Sequence, residues 1–112
     1  MEDKKLGKIS HVSFGHGGYQ DAQIGLSVTL SGEGWGVQDF KGYWDAEIIE
    51  CSKNCKWTEK DRDELYSGTM RALSKILKDA KVHSVAMLKD IPVEATFEGN
   101  TLKSWRILTE VL

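Results

Sequence analysis

The clearest pattern in the chain runs from Ala22 to Leu30. Ala22, Ile24, Leu26, Val28 and Leu30 alternate with Gln23, Gly25, Ser27 and Thr29. A period of two puts each set on its own face of a strand, one buried and one wet. Before it, Ile9, Val12 and Phe14 alternate imperfectly with Lys8, Ser10 and Ser13, so Lys5 to Phe14 reads as a less regular strand. The link between the two runs, "GHGGYQD", predicts a hairpin, because glycine supplies the positive φ that tight links need. "SGEG" marks the next turn. "WGVQDFKGYW" reads as a third strand, in which Gly36 and Gly42 point to a bulge or a close backbone approach. The segment from Asp45 to Lys56 fits either the end of that strand or an irregular connection.

After Trp57 the period changes. Thr58 suits a helix N-cap, and Glu59 and Asp61 fall in a first turn whose dipole favours negative charge. Leu65, Thr69, Leu73, Ile76 and Ala80 make one stripe, widened by Tyr66, Met70 and Leu77. This spacing predicts an amphipathic helix of about five to six turns. "SVAMLKDI" reads as a short helical turn that Pro92 ends. Val93, Ala95 and Phe97 then alternate with Glu94, Thr96 and Glu98, and Gly99-Asn100 is a good turn pair. The last strand carries Trp105, Ile107 and Val111 on one side and Ser104, Arg106 and Glu110 on the other, and is expected to run almost to Leu112. The element order is β-β-β-α-β-β. The expected fold is α+β, an antiparallel sheet with the long helix packed on one face.

The 112 residues suit a single domain, 1–112, with a modest core that extra burial in a homo-oligomer would help. Fifteen basic against 17 acidic residues give a net charge of −2. That balance speaks against stable DNA or RNA binding, yet leaves room for a small nucleotide held by a few basic groups. No apolar run reaches the roughly 20 residues of a membrane span, and "MEDKKLGK" has no apolar region behind its charges. A cytoplasmic protein with reduced Cys51 and Cys55 is expected.

Candidate chemistry changes this picture only in places. "GHGGYQ" lacks the spacing of a phosphate loop and leads into a strand, not a helix. Even so, His16 and Tyr19 exceed what a turn requires, and loops on rigid scaffolds often carry binding groups. Cys51-Ser-Lys-Asn-Cys55 has a gap that a zinc pair allows, but only one such pair exists and no His-x₃₋₅-His follows, so no metal is assigned. No Gly-x-Ser-x-Gly elbow and no evident acid–base pair occur, and "EKDRDE" is explained by the helix dipole and solvation. No catalytic residue and no cofactor are assigned, and no enzyme is expected. Trp35, Trp44, Trp57 and Trp105 are many for this length and suit rims and binding surfaces. Arg62, Arg71 and Arg106 are the only arginines among 15 basic residues, and arginine offers a planar bidentate fork.

"HVSFGHGGYQDAQIGLSVTLSGEGWGVQDF", the helix start "CKWTEKDRDE" and the ending "PVEATFEGNTLKSWRILTEVL" together cover most of the chain. They resemble a set of small, largely uncharacterised proteins encoded by tailed phages and prophages. The resemblance implies a phage accessory protein in the host cell cytoplasm, and many such proteins counter host defence without catalysis. Some are sponges that sequester a nucleotide-derived immune signal of Thoeris or CBASS systems. Others inhibit a host defence protein, as anti-CRISPR proteins do. A small zinc-binding protein or a virion-assembly role are the alternatives. The residues expected to bind ligand or partner are Tyr19, Gln20, Asp21, Trp35, Asp39, Trp44, Arg71 and Arg106. The aromatics would stack or fill a pocket, and the arginines would hold anionic groups.

Overall fold

The computed structural model describes residues 1–112. The strands are β1 (Glu2–Gly17), β2 (Gln23–Gly32), β3 (Trp35–Trp44), β4 (Pro92–Glu98) and β5 (Thr101–Ile107). β1 outruns its alternating stretch at both ends, because Glu2 to Lys5 pair with β4 and Gly15 to Gly17, expected in the link, pair with β2. The helix α1 (Glu59–Ala80) lies between β3 and β4 in the chain. The five strands make one antiparallel sheet in the order β3-β2-β1-β4-β5. This is the α+β arrangement that the pattern predicts. The sheet curls enough that Trp105, on one edge strand, hydrogen-bonds to Asp39 on the other.

β1 organises the sheet. Its first half, Glu2 to Lys8, pairs with β4, and its second half, Lys8 to Gly17, pairs with β2. A bulge between Ile9 and His11 leaves Ser10 as the extra residue on β1. Ile9 and Val12 therefore both face the core, although three positions separate them. That bulge is the physical reason for the imperfect alternation of this strand. Of the two readings of the β3 glycines, a bulge or a close approach, the structure shows the second at Gly42, because β2 and β3 pair in continuous register. Gly42 stands opposite Gly25, and a Cβ on either glycine would come within 2.2 Å of the facing strand's backbone.

The core lies between the concave face of the sheet and α1. Leu26, Val28 and Leu30 from β2 meet Val93, Ala95 and Phe97 from β4, with Ile76 and Ala80 from the helix. α1 begins at a reciprocal cap. Asp61 N–H donates to Thr58 Oγ1 at 3.1 Å, and Thr58 N–H donates to Asp61 Oδ2 at 2.9 Å. Such a cap stabilises a helix by about 1 kcal/mol. Lys81, left-handed at φ 60°, closes the other end.

Two details of the expected pattern differ. Leu65 and Met70 stay 45% and 57% exposed, while Arg62 is buried. The irregular 45–57 segment covers the first turns of α1 and presents the Ile49 carbonyl and the Trp57 ring, which suit a guanidinium better than a leucine. The last strand also stops early. β5 ends at Ile107, residues Thr109–Val111 form a 3₁₀ turn, and Val111 is exposed. Its partner β4 begins at Pro92, which has no N–H to extend the ladder, although the Pro92 carbonyl still accepts from Leu108 N–H.

Candidate functional site

The curl of the sheet leaves a cleft between its two edges. β3 forms one wall, β5 the other, and α1 the floor. Its volume is about 380 Å³. Asp39 and Lys41 reach it from β3, because alternate residues of a strand share a face and this face is the core side. Trp105 reaches it from β5, beside the buried Ala95. The Trp105 indole N–H donates to Asp39 Oδ2 at 2.7 Å, which fixes the ring and ties one sheet edge to the other.

Cations surround that tie. Lys41 Nζ lies 3.5 Å from Asp39 Oδ2. Lys75 enters from the helix, paired at 2.7 Å with Asp79 one turn later. Lys103 enters from β5 and pairs with Glu2 at the start of β1. The side chains of Lys41 and Lys103 stay 41% and 50% exposed, so a ligand can exchange for their present partners. A rigid aromatic ring among flexible ammonium groups can hold a planar ring that bears an anionic group.

The residues expected to bind do not converge. Asp39 and Arg106 both border the cleft. The guanidinium of Arg106, however, is engaged on the opposite sheet face by Glu94 at 3.2 Å and by Glu110 at 3.0 and 2.8 Å. Those bonds hold the Glu110 carboxyl down at about 2 and raise Arg106 above its ordinary value. Tyr19, Gln20 and Asp21 form a tight turn in the β1–β2 link, in which Asp21 N–H donates to the Gly18 carbonyl at 3.3 Å and Ala22 N–H to the Tyr19 carbonyl at 3.1 Å, and Asp21 borders a second concavity on the convex sheet face. Trp35 packs edge-on against Phe97, with centroids 5.5 Å apart. Trp44 ends β3, and its carbonyl accepts from Tyr66 O–H at 2.7 Å. Arg71 is exposed on α1 and makes no ion pair.

Sequence reasoning missed Lys41, Lys75, Lys103 and the central place of Trp105. Asp39 and Lys41 share a face by spacing alone, and Lys75 and Asp79 by helical spacing. What joins β3 to β5 is the strand order, which the local pattern does not encode.

A third cluster lies at the base of α1. Arg62 is 1% exposed and stacks 4.6 Å from the Trp57 ring centroid. Its Nη2 donates to the Ile49 carbonyl at 2.9 Å and to Glu59 Oε1 at 3.0 Å, while Nε and Nη1 have no partner. Cys51 and Cys55 are free thiols beside it. The Cys51 S–H donates to the Trp57 carbonyl at 3.0 Å. Its hydrogen bond with the Cys55 thiol, together with burial, pushes Cys51 up to about 11. No third His, Cys, Asp or Glu joins the pair in a metal-holding group.

Near the β1–β2 link, His16 Nε2 lies 2.5 Å from Asp45 Oδ2. The Glu47 N–H bond and then His16 lower the Asp45 carboxyl from its ordinary value. No helix of the structure is long and apolar enough to cross a membrane.

No protein-family model, no curated protein and no solved structure matches the chain. Fold and site together define the class: a small α+β sheet protein with an aromatic, lysine-walled cleft between its two sheet edges.

Proposed function

We propose that the chain is a phage accessory protein that acts by binding, without catalysis, and sequesters a nucleotide-derived immune signal in the cleft between β3 and β5. One observation carries this reading: Trp105 is fixed by Asp39 in a cleft walled by Lys41, Lys75 and Lys103. A base stacks on an aromatic face, and ammonium groups meet phosphate oxygens. The resemblance of the sequence to small tailed-phage proteins supplies the setting, the cytoplasm of an infected cell. The protein works as a homo-oligomer, which covers apolar side chains such as Leu65 and Met70 that the monomer leaves exposed.

Phage plaquing tests the reading. The chain is expressed in bacteria that carry a nucleotide-signalling defence system. The wild type is expected to restore plaque formation. Lys41→Glu and Trp105→Leu, checked for folding by circular dichroism, are expected to lose that effect. Full restoration by both folded variants would overturn the reading.

A further inference from the structure

The convex face of the sheet, opposite the cleft, carries a second concavity of about 550 Å³. The register of β1, β2 and β3 builds it in rows. His11, Thr29 and Gln38 stand side by side, Ser13, Ser27 and Phe40 form the next row, and Gly15, Gly25 and Gly42 the third. The β1–β2 link closes one end and places Asp21 at the rim. Gln20 and Asp21 there both adopt φ 54°, a left-handed conformation that residues other than glycine rarely take.

The lining has a definite chemistry. No lysine or arginine contributes, and Asp21 is the one carboxylate; the imidazoles of His11 and His16 are the only basic groups, and His16 is already paired with Asp45, so a phosphate meets no permanent cation. Phe40 is the one hydrophobic side chain among nine lining residues, so an apolar ligand finds too little to bury against. What remains is one ring face surrounded by hydroxyl, amide, imidazole and carboxylate groups. Gln38 Nε2 donates to Ser27 Oγ at 2.5 Å, which fixes the amide and leaves its Oε1 free to accept. Ser27 is only 8% exposed, and its hydroxyl makes no hydrogen bond as a donor within the protein. The Phe40 ring lies so close to Gly17 that a Cβ there would come within 3.2 Å of it.

We propose that this convex-face concavity binds an uncharged sugar ring, a pentose or hexose. The C–H face of the sugar lies on Phe40. Its hydroxyls donate to Gln38 Oε1 and to the Asp21 carboxylate, and exchange hydrogen bonds with Ser13 and His11. The site is separate from the cleft and does not depend on the function proposed for it.

Amide NMR titration of the full chain with D-ribose, with D-glucose and with inorganic phosphate tests this. At least one sugar is expected to shift the Ser13 and Ser27 amides and the Gln38 side-chain amide saturably, with a Kd on the order of millimolar. The Trp105 indole resonance, which reports the cleft, is expected to stay in place. Gln38→Ala and Asp21→Asn are each expected to weaken that binding by about tenfold, the scale of one good hydrogen bond lost. An unmoved Trp105 indole confirms that each variant is folded. Absence of saturation with both sugars at about 100 mM, equal binding by both variants, or a response to phosphate alone would each overturn the proposal.

Discussion

Arg62 is the largest fully buried side chain of the protein, and it carries a charge. Two of its nitrogens have no partner, and its carboxylate partner Glu59 is 61% exposed. Its contribution therefore rests on packing against Trp57 and on the bond to Ile49 more than on the ion pair. Arg62→Ala is expected to cost about 3 kcal/mol in urea unfolding, as a large core truncation does. Arg62→Met keeps the stem and removes the unpartnered N–H groups, so it is expected to stay within about 1 kcal/mol of the wild type. Glu110 shows a different residue-scale effect. Arg106 holds it at about 2, below its ordinary 4.5. A carboxyl lowered on folding stabilises fully above its unfolded value and loses that contribution as pH falls through its folded value. Thermal melts are therefore expected to show Tm falling between pH 4.5 and pH 2, and falling less in Glu110→Gln. Neither residue was legible as a site from the sequence. Arg62 looked like one charge in "EKDRDE", and its burial follows from the irregular segment folded over it.

At the scale of elements, the close pairing of β2 and β3 depends on two facing glycines. A Cβ on Gly25 would come 2.1 Å from the Lys41 carbonyl oxygen, whereas a Cβ on Gly15, in the same cross-strand row, would meet nothing within 4 Å. Gly25→Ala is expected to destabilise the protein by at least about 3 kcal/mol and to raise amide exchange along β3. Gly15→Ala is expected to change stability by less than about 1 kcal/mol. Hydrogen exchange with denaturant unfolding separates the two. Much of this level was readable in advance. The alternation of β2, the cap at Thr58 and the Gly99-Asn100 turn are local signals, and each formed as its spacing indicated. The bulge at Ser10 was visible only as a fault in the pattern of β1. The early end of β5 was not visible, since it depends on a partner strand that starts at Pro92.

The whole molecule is flat. Its extents are 48 × 34 × 20 Å and its radius of gyration is 15.3 Å. A compact domain of this length would have about 13 Å. Only 16 of 112 residues are buried, so the monomer has a small core and much apolar surface outside it. Sedimentation equilibrium is expected to give a multiple of the 12.6 kDa chain mass. A single species of one chain mass at micromolar concentration would contradict the oligomer. The cleft also belongs to this scale. Strand order brings Asp39 on β3 against Trp105 on β5, 66 residues apart in the chain, and no local pattern encodes that meeting. The most direct test of the binding account is native mass spectrometry of the protein purified from bacteria whose nucleotide-signalling defence has been triggered, with denaturation to release whatever it holds. A phosphorylated nucleotide derivative is expected on the wild type and is expected to be absent from Lys41→Glu and Trp105→Leu. A ligand-free wild-type protein from cells shown to contain the signal would contradict it.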